Sequence, residues 1–115
     1  MGLTVTGCAK YAKHLDKLKF GIMIIEEAAE VLESHTIAIL SKNVEHLILI
    51  GDHQQLRPKL ENYMIEKKYK TNISLFERLI NNGINFVTLS NQRRMRTDFA
   101  NIIRLIYGNE YQDHP

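Results

Sequence analysis

Residues 47–58 read LILIGDHQQLRP and residues 20–25 read FGIMII, and these two stretches decide the fold. Each begins with a short apolar run and is followed directly by acidic or amide side chains. Apolar runs of this length, without polar alternation, are typical of strands buried on both faces of a parallel sheet. The sequence therefore predicts two doubly buried parallel strands whose carboxyl ends carry polar residues.

Segments of helical period alternate with the strands along the chain. The predicted helices cover residues 8–18, 28–40, 74–83 and 97–107, and further strands are predicted over residues 2–6 and 86–89. Residues 57–69 stay ambiguous, because Pro58 could open a helix there. Strand–helix alternation with short connections predicts the α/β class, with a mainly parallel sheet flanked by helices.

Two of these helices carry strong local signals. Ser74 and Glu77 form a capping-box pattern, in which each side chain can satisfy an amide at the helix start. The last helix has an apolar stripe at i, i+3, i+4 and i+7, formed by Phe99, Ile102, Ile103 and Ile106. These patterns predict a helix that begins near Ser74 and another that ends before Gly108.

Composition excludes several classes of protein. The chain has 115 residues, 44% hydrophobic and 24% charged, which is typical of a globular domain or part of one. A net charge of +2 is too small to indicate nucleic-acid binding by itself. A single cysteine, Cys8, favours a reducing compartment, and no apolar run could span a bilayer. We expect a cytoplasmic or nuclear protein that is not bound to a membrane.

Three polar clusters follow predicted strands. They are Glu26-Glu27, residues 51–55 and residues 92–96. Ligands of open parallel sheets bind beyond the carboxyl ends of the strands, so these clusters are expected to meet at one rim. Acids, amides and arginines together could hold Mg²⁺, a water molecule and a polyphosphate.

Simpler interpretations of the same residues stay open. An acidic pair after a strand also suits the first turn of a helix, where negative charge interacts well with the helix dipole. Residues 51–55 could be a polar turn, and the arginines of residues 93–96 could be a solvated basic run. The histidines have no metal-ligand spacing.

Four motifs occur in a fixed order along the chain: IIEEAAEVLE (24–33), LILIGDHQQLRP (47–58), SLFERL (74–79) and LSNQRRM (89–95). This series resembles the superfamily 1 helicases, in particular the Upf-like branch and the helicases with NFX1-type zinc fingers. The resemblance covers essentially the whole chain, including GLTVTGCAKY (2–11). It implies part of a RecA-like P-loop NTPase domain over residues 1–90 and the start of a second such domain over residues 91–115.

The resemblance also implies roles for individual residues in ATP hydrolysis. Glu27 matches the catalytic glutamate that polarises the attacking water. Gln55 matches the glutamine that senses the γ-phosphate, and Arg94 matches the arginine that reaches this phosphate from the second domain. A positioned arginine of this kind contributes about 10³–10⁵ in rate in related enzymes.

Further residues are implied to bind the nucleotide, its metal ion or the nucleic acid. Glu26 occupies the position of the Mg²⁺-supporting aspartate, and its additional methylene group is a departure from the family pattern. Asp52 and Gln92 are implied to contact the nucleotide. Thr4 and Thr6 are implied to contact the nucleic-acid backbone. Arg93 replaces a family tyrosine, so a stacking role at that position is changed.

The implied activity is ATP-driven movement on single-stranded RNA or DNA by a full-length parent that binds ATP and Mg²⁺. The sequence given has no G-x-x-x-x-G-K-[ST] loop. We therefore expect this chain alone to bind no cofactor, to hydrolyse no ATP and to unwind no duplex. We also expect it to need the remaining helicase domains as partners, and possible self-association through an unpaired edge at LILI.

Two alternatives differ from a helicase motor. One is a non-catalytic truncated paralogue that binds nucleic acid or protein. The other is a receiver-type phosphoacceptor domain, because acids follow two strands. That fold needs an acidic pair after its first strand and a lysine after its last, whereas Thr6-Gly7 and Ser90-Asn91 stand there. The receiver interpretation is therefore disfavoured.

Overall fold

The structure of the chain is a computed structural model that describes residues 1–60, 62–69 and 71–114. It forms two compact units, unit 1 over Met1–Ile84 and unit 2 over Asn85–Pro115, and each is described by itself. The assignment of residues 1–90 and 91–115 to two motor domains stays a prediction. No described helix is both long and apolar enough to cross a membrane.

Unit 1 contains five helices, two strands and one 3₁₀ turn among its described residues. In chain order they are α1 (Val5–Lys10), α2 (Ala12–Lys17), β1 (Ile22–Ile25), the 3₁₀ turn (Ala28–Glu30), α3 (Glu33–Ile39), β2 (His46–Leu49), α4 (Tyr63–Tyr69) and α5 (Leu75–Asn81). The predicted pair of central strands is confirmed. β1 and β2 are parallel, in a register that places Ile22 opposite His46 and Ile25 opposite Leu49.

One face of this two-stranded sheet carries the core of unit 1. Alternate residues of a strand point to opposite faces, so Met23 and Ile25 share a face. Ile25, Ala28 and Ile39 are buried together. Partly buried side chains surround them, namely Val5, Cys8, Met23, Val31, Leu47, Leu49 and Phe76. Helices α1, α3 and α5 therefore cover this face.

The opposite face of the sheet is exposed. Ile22 and Ile24 are each 59% exposed, and Ile48 is 46% exposed. Among the described residues β1 and β2 pair only with each other. The prediction that both strands are buried on both faces is therefore wrong for this chain, because helices cover one face only.

The strand predicted over residues 2–6 is also wrong. Val5 and Thr6 lie in helix α1, and the Thr4 hydroxyl caps that helix by accepting a hydrogen bond from the Gly7 amide at 3.1 Å. The β-branched composition of this stretch favours a strand. The preference of threonine for the N-cap position outweighs that strand preference, and a helix forms after Thr4.

The predicted helix over residues 28–40 is divided in two. The 3₁₀ turn ends at Glu30, the next residue Val31 has extended backbone angles, and α3 begins only at Glu33. Leu32 between them forms an antiparallel bridge with Ser74. Backbone pairing with the segment before α5 therefore interrupts the helical period.

Helices α4 and α5 begin at side-chain caps. The Asn62 side chain accepts from the Met64 and Ile65 amides at 3.0 and 3.3 Å, so the ambiguous stretch becomes helical at Tyr63 rather than at Pro58. The serine half of the predicted capping box is confirmed, because the Ser74 hydroxyl accepts from the Glu77 amide at 3.0 Å, whereas the Glu77 carboxylate accepts from Arg57.

Unit 2 contains β3 (Asn91–Gln92), α6 (Thr97–Tyr107) and β4 (Gln112–Asp113), with β3 and β4 parallel. The predicted final helix is confirmed, and Gly108 follows it with φ +82°. The strand predicted over residues 86–89 is wrong. Val87 and Leu89 are 90% and 84% exposed, and the strand that does form lies at Asn91–Gln92. An apolar run becomes a strand only when another strand supplies its hydrogen bonds.

Candidate functional site

The carboxyl ends of β1 and β2 meet at one edge of the sheet, as the sequence predicts. Because Ile25 pairs with Leu49 in a parallel register, the chain leaves both strands on the same side. Backbone bonds continue beyond the strands. The Ile50 amide donates to the Ile25 carbonyl at 2.9 Å, and the Ala28 amide donates to the Ile50 carbonyl at 2.8 Å. The extension of β2 therefore closes the turn that carries the acidic pair.

Gly51 packs directly against this turn. A Cβ atom built on Gly51 would lie 2.8 Å from the Ala29 amide nitrogen and 3.1 Å from the Ala28 amide nitrogen. Those neighbours are backbone atoms, so they cannot move aside as a side chain can. Only glycine lets the loop after β2 approach the turn after β1 this closely.

Glu27 occupies the left-handed region of backbone conformation, with φ 52° and ψ 38°. This conformation costs a residue with a side chain ~1 kcal/mol. The residues that follow hold it in place, since Ala28 and Ala29 are buried and the Glu30 amide donates to the Glu27 carbonyl at 2.9 Å. Strained residues of this kind cluster at functional sites. The Glu27 side chain itself is exposed at the sheet edge.

Glu26 directly precedes Glu27 and is also exposed. Among the described residues, no group of three or more His, Cys, Asp and Glu side chains converges on a common metal position. Magnesium ions bound with a nucleotide usually take one or two carboxylates, and phosphate and water oxygens complete the shell. The exposed Glu26 carboxylate could supply one such ligand, and its role toward Mg²⁺ stays a prediction.

Asp52 organises the loop that contains Gln55. Its carboxylate accepts from the Gln54 amide at 2.9 Å and from the Gln55 side-chain amide at 2.8 Å. The Gln55 backbone amide also approaches the Asp52 carbonyl, at 3.3 Å. Asp52 is half-buried and Gln55 is exposed, so the acid fixes an amide that solvent can reach. In this arrangement Asp52 orients Gln55, and its direct contact with a nucleotide stays a prediction.

Arg57 at the end of the same loop forms an ion pair with Glu77 of α5. The arginine Nε donates to one carboxylate oxygen at 3.1 Å and its Nη2 donates to the other oxygen. Glu77 is 6% exposed, whereas the Arg57 side chain is 58% exposed. Sequence reasoning assigned Glu77 to the capping box and gave Arg57 no role. The ion pair joins residues twenty positions apart, which no local pattern indicates.

The Gln92 side chain makes four hydrogen bonds within unit 2. It is 7% exposed, and its side-chain oxygen accepts from the Arg94 and Met95 amides at 3.0 and 2.8 Å. Its side-chain nitrogen donates to the Met95 carbonyl at 2.8 Å and to the Asp113 carboxylate. With both ends of the amide engaged, Gln92 shapes the loop that carries Arg94. Direct contact of Gln92 with a nucleotide stays a prediction.

Arg94 lies on this loop with an exposed side chain. Its neighbour Arg93 contacts the His114 ring. The predicted meeting of Arg94 with Glu27 and Gln55 involves residues of both units, and it stays a prediction.

Asp113 completes the polar network of unit 2. The hydrogen bond from Gln92, then one from Thr97 and the charge and hydrogen bond of Arg104, hold the pKa of the Asp113 carboxyl below its ordinary value. Burial opposes this effect, and its influence on the pKa is smaller than that of either the Gln92 or the Thr97 hydrogen bond but larger than that of the Arg104 hydrogen bond or charge taken singly. Arg104 lies 3.1 Å from the carboxylate and also donates to the Tyr111 carbonyl at 2.7 Å. β4 is thereby tied to α6.

Thr4 and Thr6, the predicted nucleic-acid contacts, both lie at the start of α1 and are exposed. The Thr4 hydroxyl is engaged as the cap of that helix. Their role toward nucleic acid stays a prediction.

Residues 3–61 match the AAA domain family. Over all of its 115 residues the chain is 50% identical to the mouse (Mus musculus) NFX1-type zinc finger-containing protein 1. The chain belongs to the AAA domain family, and its relatives include helicases of the Upf-like branch. Over 108 residues, 93% of the chain, it is 39% identical to a Schizosaccharomyces pombe protein named helicase required for RNAi-mediated heterochromatin assembly 1. It is also 39% identical over 84 residues, 72% of the chain, to the Saccharomyces cerevisiae ATP-dependent helicase NAM7.

The helicase relatives are much longer than this chain. It spans 6% of the mouse protein, 11% of the fission-yeast helicase and 8% of NAM7. The matched AAA domain includes both strand ends, with Glu26, Glu27, Asp52 and Gln55. The family assignment therefore rests on the part of unit 1 that holds the candidate site.

Proposed function

We propose that this chain is a segment of an ATP-dependent RNA or DNA helicase motor, with part of the ATP-hydrolysis site at the carboxyl ends of β1 and β2. Unit 1 would belong to the first RecA-like domain, and the loop around Arg94 would open the second. In the complete motor the substrates are ATP and single-stranded nucleic acid, and RNA is favoured over DNA. The name of the fission-yeast relative, which refers to RNAi, supports that preference.

One observation carries this proposal: backbone contacts join the turn that bears Glu27 to the loop that bears Gln55. The Ala28 amide bonds the Ile50 carbonyl, and Gly51 lies against the backbone of the turn. In the proposed motor, these backbone contacts would transmit a change at Gln55 to Glu27. An ATPase that couples phosphate sensing to water activation needs such a connection.

The proposed chemistry assigns one task to each side chain. The Glu27 carboxylate accepts a hydrogen bond from the attacking water and orients its oxygen toward the terminal phosphorus. Gln55, held by Asp52, donates its amide toward the terminal phosphate. Arg94 neutralises charge that develops there when the second domain closes. Glu26 would hold Mg²⁺, which when bound offsets the charge of the phosphates.

Replacing Glu27 by Gln tests the proposal in the complete motor protein. The variant keeps the shape of the side chain and removes the carboxylate, so ATP turnover is expected to fall about 10²–10⁴-fold. Binding of a non-hydrolysable ATP analogue is expected to change by less than about threefold, which is below 1 kcal/mol. Glu30→Gln is the matched control, since Glu30 is an exposed acid of the adjacent 3₁₀ turn.

The two outcomes separate the helicase motor from a non-catalytic binding module. Loss of turnover in Glu27→Gln alone supports the motor. A protein that binds single-stranded RNA but gives no ATP turnover, in either the parent or the Glu30→Gln form, supports the binding module instead.

A further inference from the structure

Helix α5 contacts the Gln55 loop at its end. Arg57, two residues after Gln55, donates two hydrogen bonds to the buried carboxylate of Glu77. A bidentate arginine–carboxylate pair fixes orientation as well as distance, because both groups are planar. Pro58, directly after the arginine, is buried. The loop of residues 51–58 is thus anchored at both ends, by Gly51 against the turn and by Arg57 against α5.

The same helix is also joined to the segment that follows Glu27. Ser74, the cap of α5, bridges Leu32 in the antiparallel sense, immediately after the 3₁₀ turn. Within the loop, the His53 ring lies 6.5 Å from the ring of Phe76 on α5. Helix α5 therefore touches both chain segments that supply the proposed site.

We propose that Arg57 and Glu77 are positioning residues for ATP hydrolysis, acting through Gln55. The ion pair anchors the loop of residues 51–58 to α5, so that the Asp52-bound Gln55 side chain keeps one orientation relative to Glu27. Neither residue contacts a substrate. The role assigned to Gln55 rests on the proposed function, whereas the anchoring of the loop does not.

The test replaces Arg57 by Ala in the complete motor protein. Arg57 is largely exposed, so the substitution leaves no cavity in the core. Arg78→Ala is the matched control, because Arg78 is another arginine with a bidentate partner, Glu33, and it points from α5 to α3 instead of to the loop. Arg57→Lys is a third variant, since lysine keeps the charge and cannot form the bidentate contact.

Hydrogen exchange of the amides of residues 52–57 is the first measurement. Exchange is expected to accelerate roughly tenfold or more in Arg57→Ala, to accelerate less in Arg57→Lys, and to stay at the parental rate in Arg78→Ala. This readout needs no ATP turnover, so it is independent of the proposed function. Unchanged exchange in Arg57→Ala overturns the anchoring.

Turnover is the second measurement. Arg57→Ala is expected to lower kcat roughly tenfold with KM for ATP within about threefold, and to cause no further loss in a Gln55→Ala background. Independent, multiplying losses in the double variant would mean that Arg57 does not act through Gln55, and they overturn the proposal. If exchange accelerates in Arg57→Ala while Glu27→Gln retains full turnover, the loop anchor stands and the hydrolysis role fails.

Discussion

Gly51 and Ala29 are packed backbone to backbone: a Cβ on Gly51 would lie 2.8 Å from the Ala29 nitrogen. The glycine follows β2 and the alanine lies in the turn after β1. Their contact brings the two loops of the proposed ATP site together. It explains why a glycine stands at the point where the chain leaves the second strand.

Replacing Gly51 by Ala should disturb both stability and turnover. The added methyl group meets backbone atoms, so overpacking is expected to cost about 1–3 kcal/mol. Thermal unfolding and ATP turnover of the complete motor measure the two effects. Gly21→Ala is the control, because a Cβ there meets nothing within 4 Å. Equal melting temperatures for the two variants would contradict the close approach.

Gln55→Ala is expected to lower nucleic-acid-stimulated ATP turnover about tenfold or more, because the amide held by Asp52 would no longer reach the terminal phosphate. Gln54→Ala is the control, since the Gln54 backbone amide donates to Asp52 and its side chain is exposed. Steady-state turnover with and without single-stranded RNA is the measurement. If Gln54→Ala is as impaired as Gln55→Ala, the specific role of Gln55 is lost.

Arg94→Ala should reduce turnover by about 10³-fold or more if its guanidinium stabilises the transferred phosphate. Arg93→Ala should have a much smaller effect, because Arg93 contacts His114 within unit 2. Single-turnover measurements on the complete motor compare the two variants. Comparable losses would indicate that the two arginines act as a general basic surface.

The Asp113 carboxyl should titrate below the ordinary aspartate value of about 3.9. Because its folded-state pKa is lowered, the stabilising contribution is present above that value and is lost as the pH falls through the folded-state pKa. An NMR titration of the carboxyl checks this. Gln92→Ala should raise the Asp113 pKa more than Thr97→Ala does, since each variant removes one hydrogen bond to Asp113 and the bond from Gln92 is the larger cause. The reverse order would be inconsistent with this network.

Local signals predicted the elements that local interactions form. Ser74 caps α5, and the apolar stripe of residues 99–106 forms α6. The parallel pairing of β1 with β2 was also predicted, from the alternation of short apolar runs with helices. Prediction failed for two other segments that depend on distant parts of the chain. Residues 86–89 have strand-forming side chains but are not part of a strand in the described structure, and a distant bridge at Leu32 interrupts the helix predicted over residues 28–40.

The candidate site was also predictable in part: its position in the fold was, but the contacts that shape it were not. Parallel strands place the residues after them at one edge, so the proximity of the Glu27 turn and the Gln55 loop was predictable from the order of the elements. The left-handed backbone of Glu27 and the Arg57–Glu77 ion pair were not predictable. Both result from contacts between segments that are far apart in sequence.

A structure of the complete motor with an ATP transition-state analogue and single-stranded RNA tests the central claim most directly. The Glu27 carboxylate is predicted to lie within hydrogen-bond reach, about 3 Å, of the attacking water. The Gln55 amide and the Arg94 guanidinium are predicted to lie within similar reach of the terminal phosphate analogue. An analogue bound elsewhere, or these three side chains on separate surfaces of the closed motor, would contradict the account.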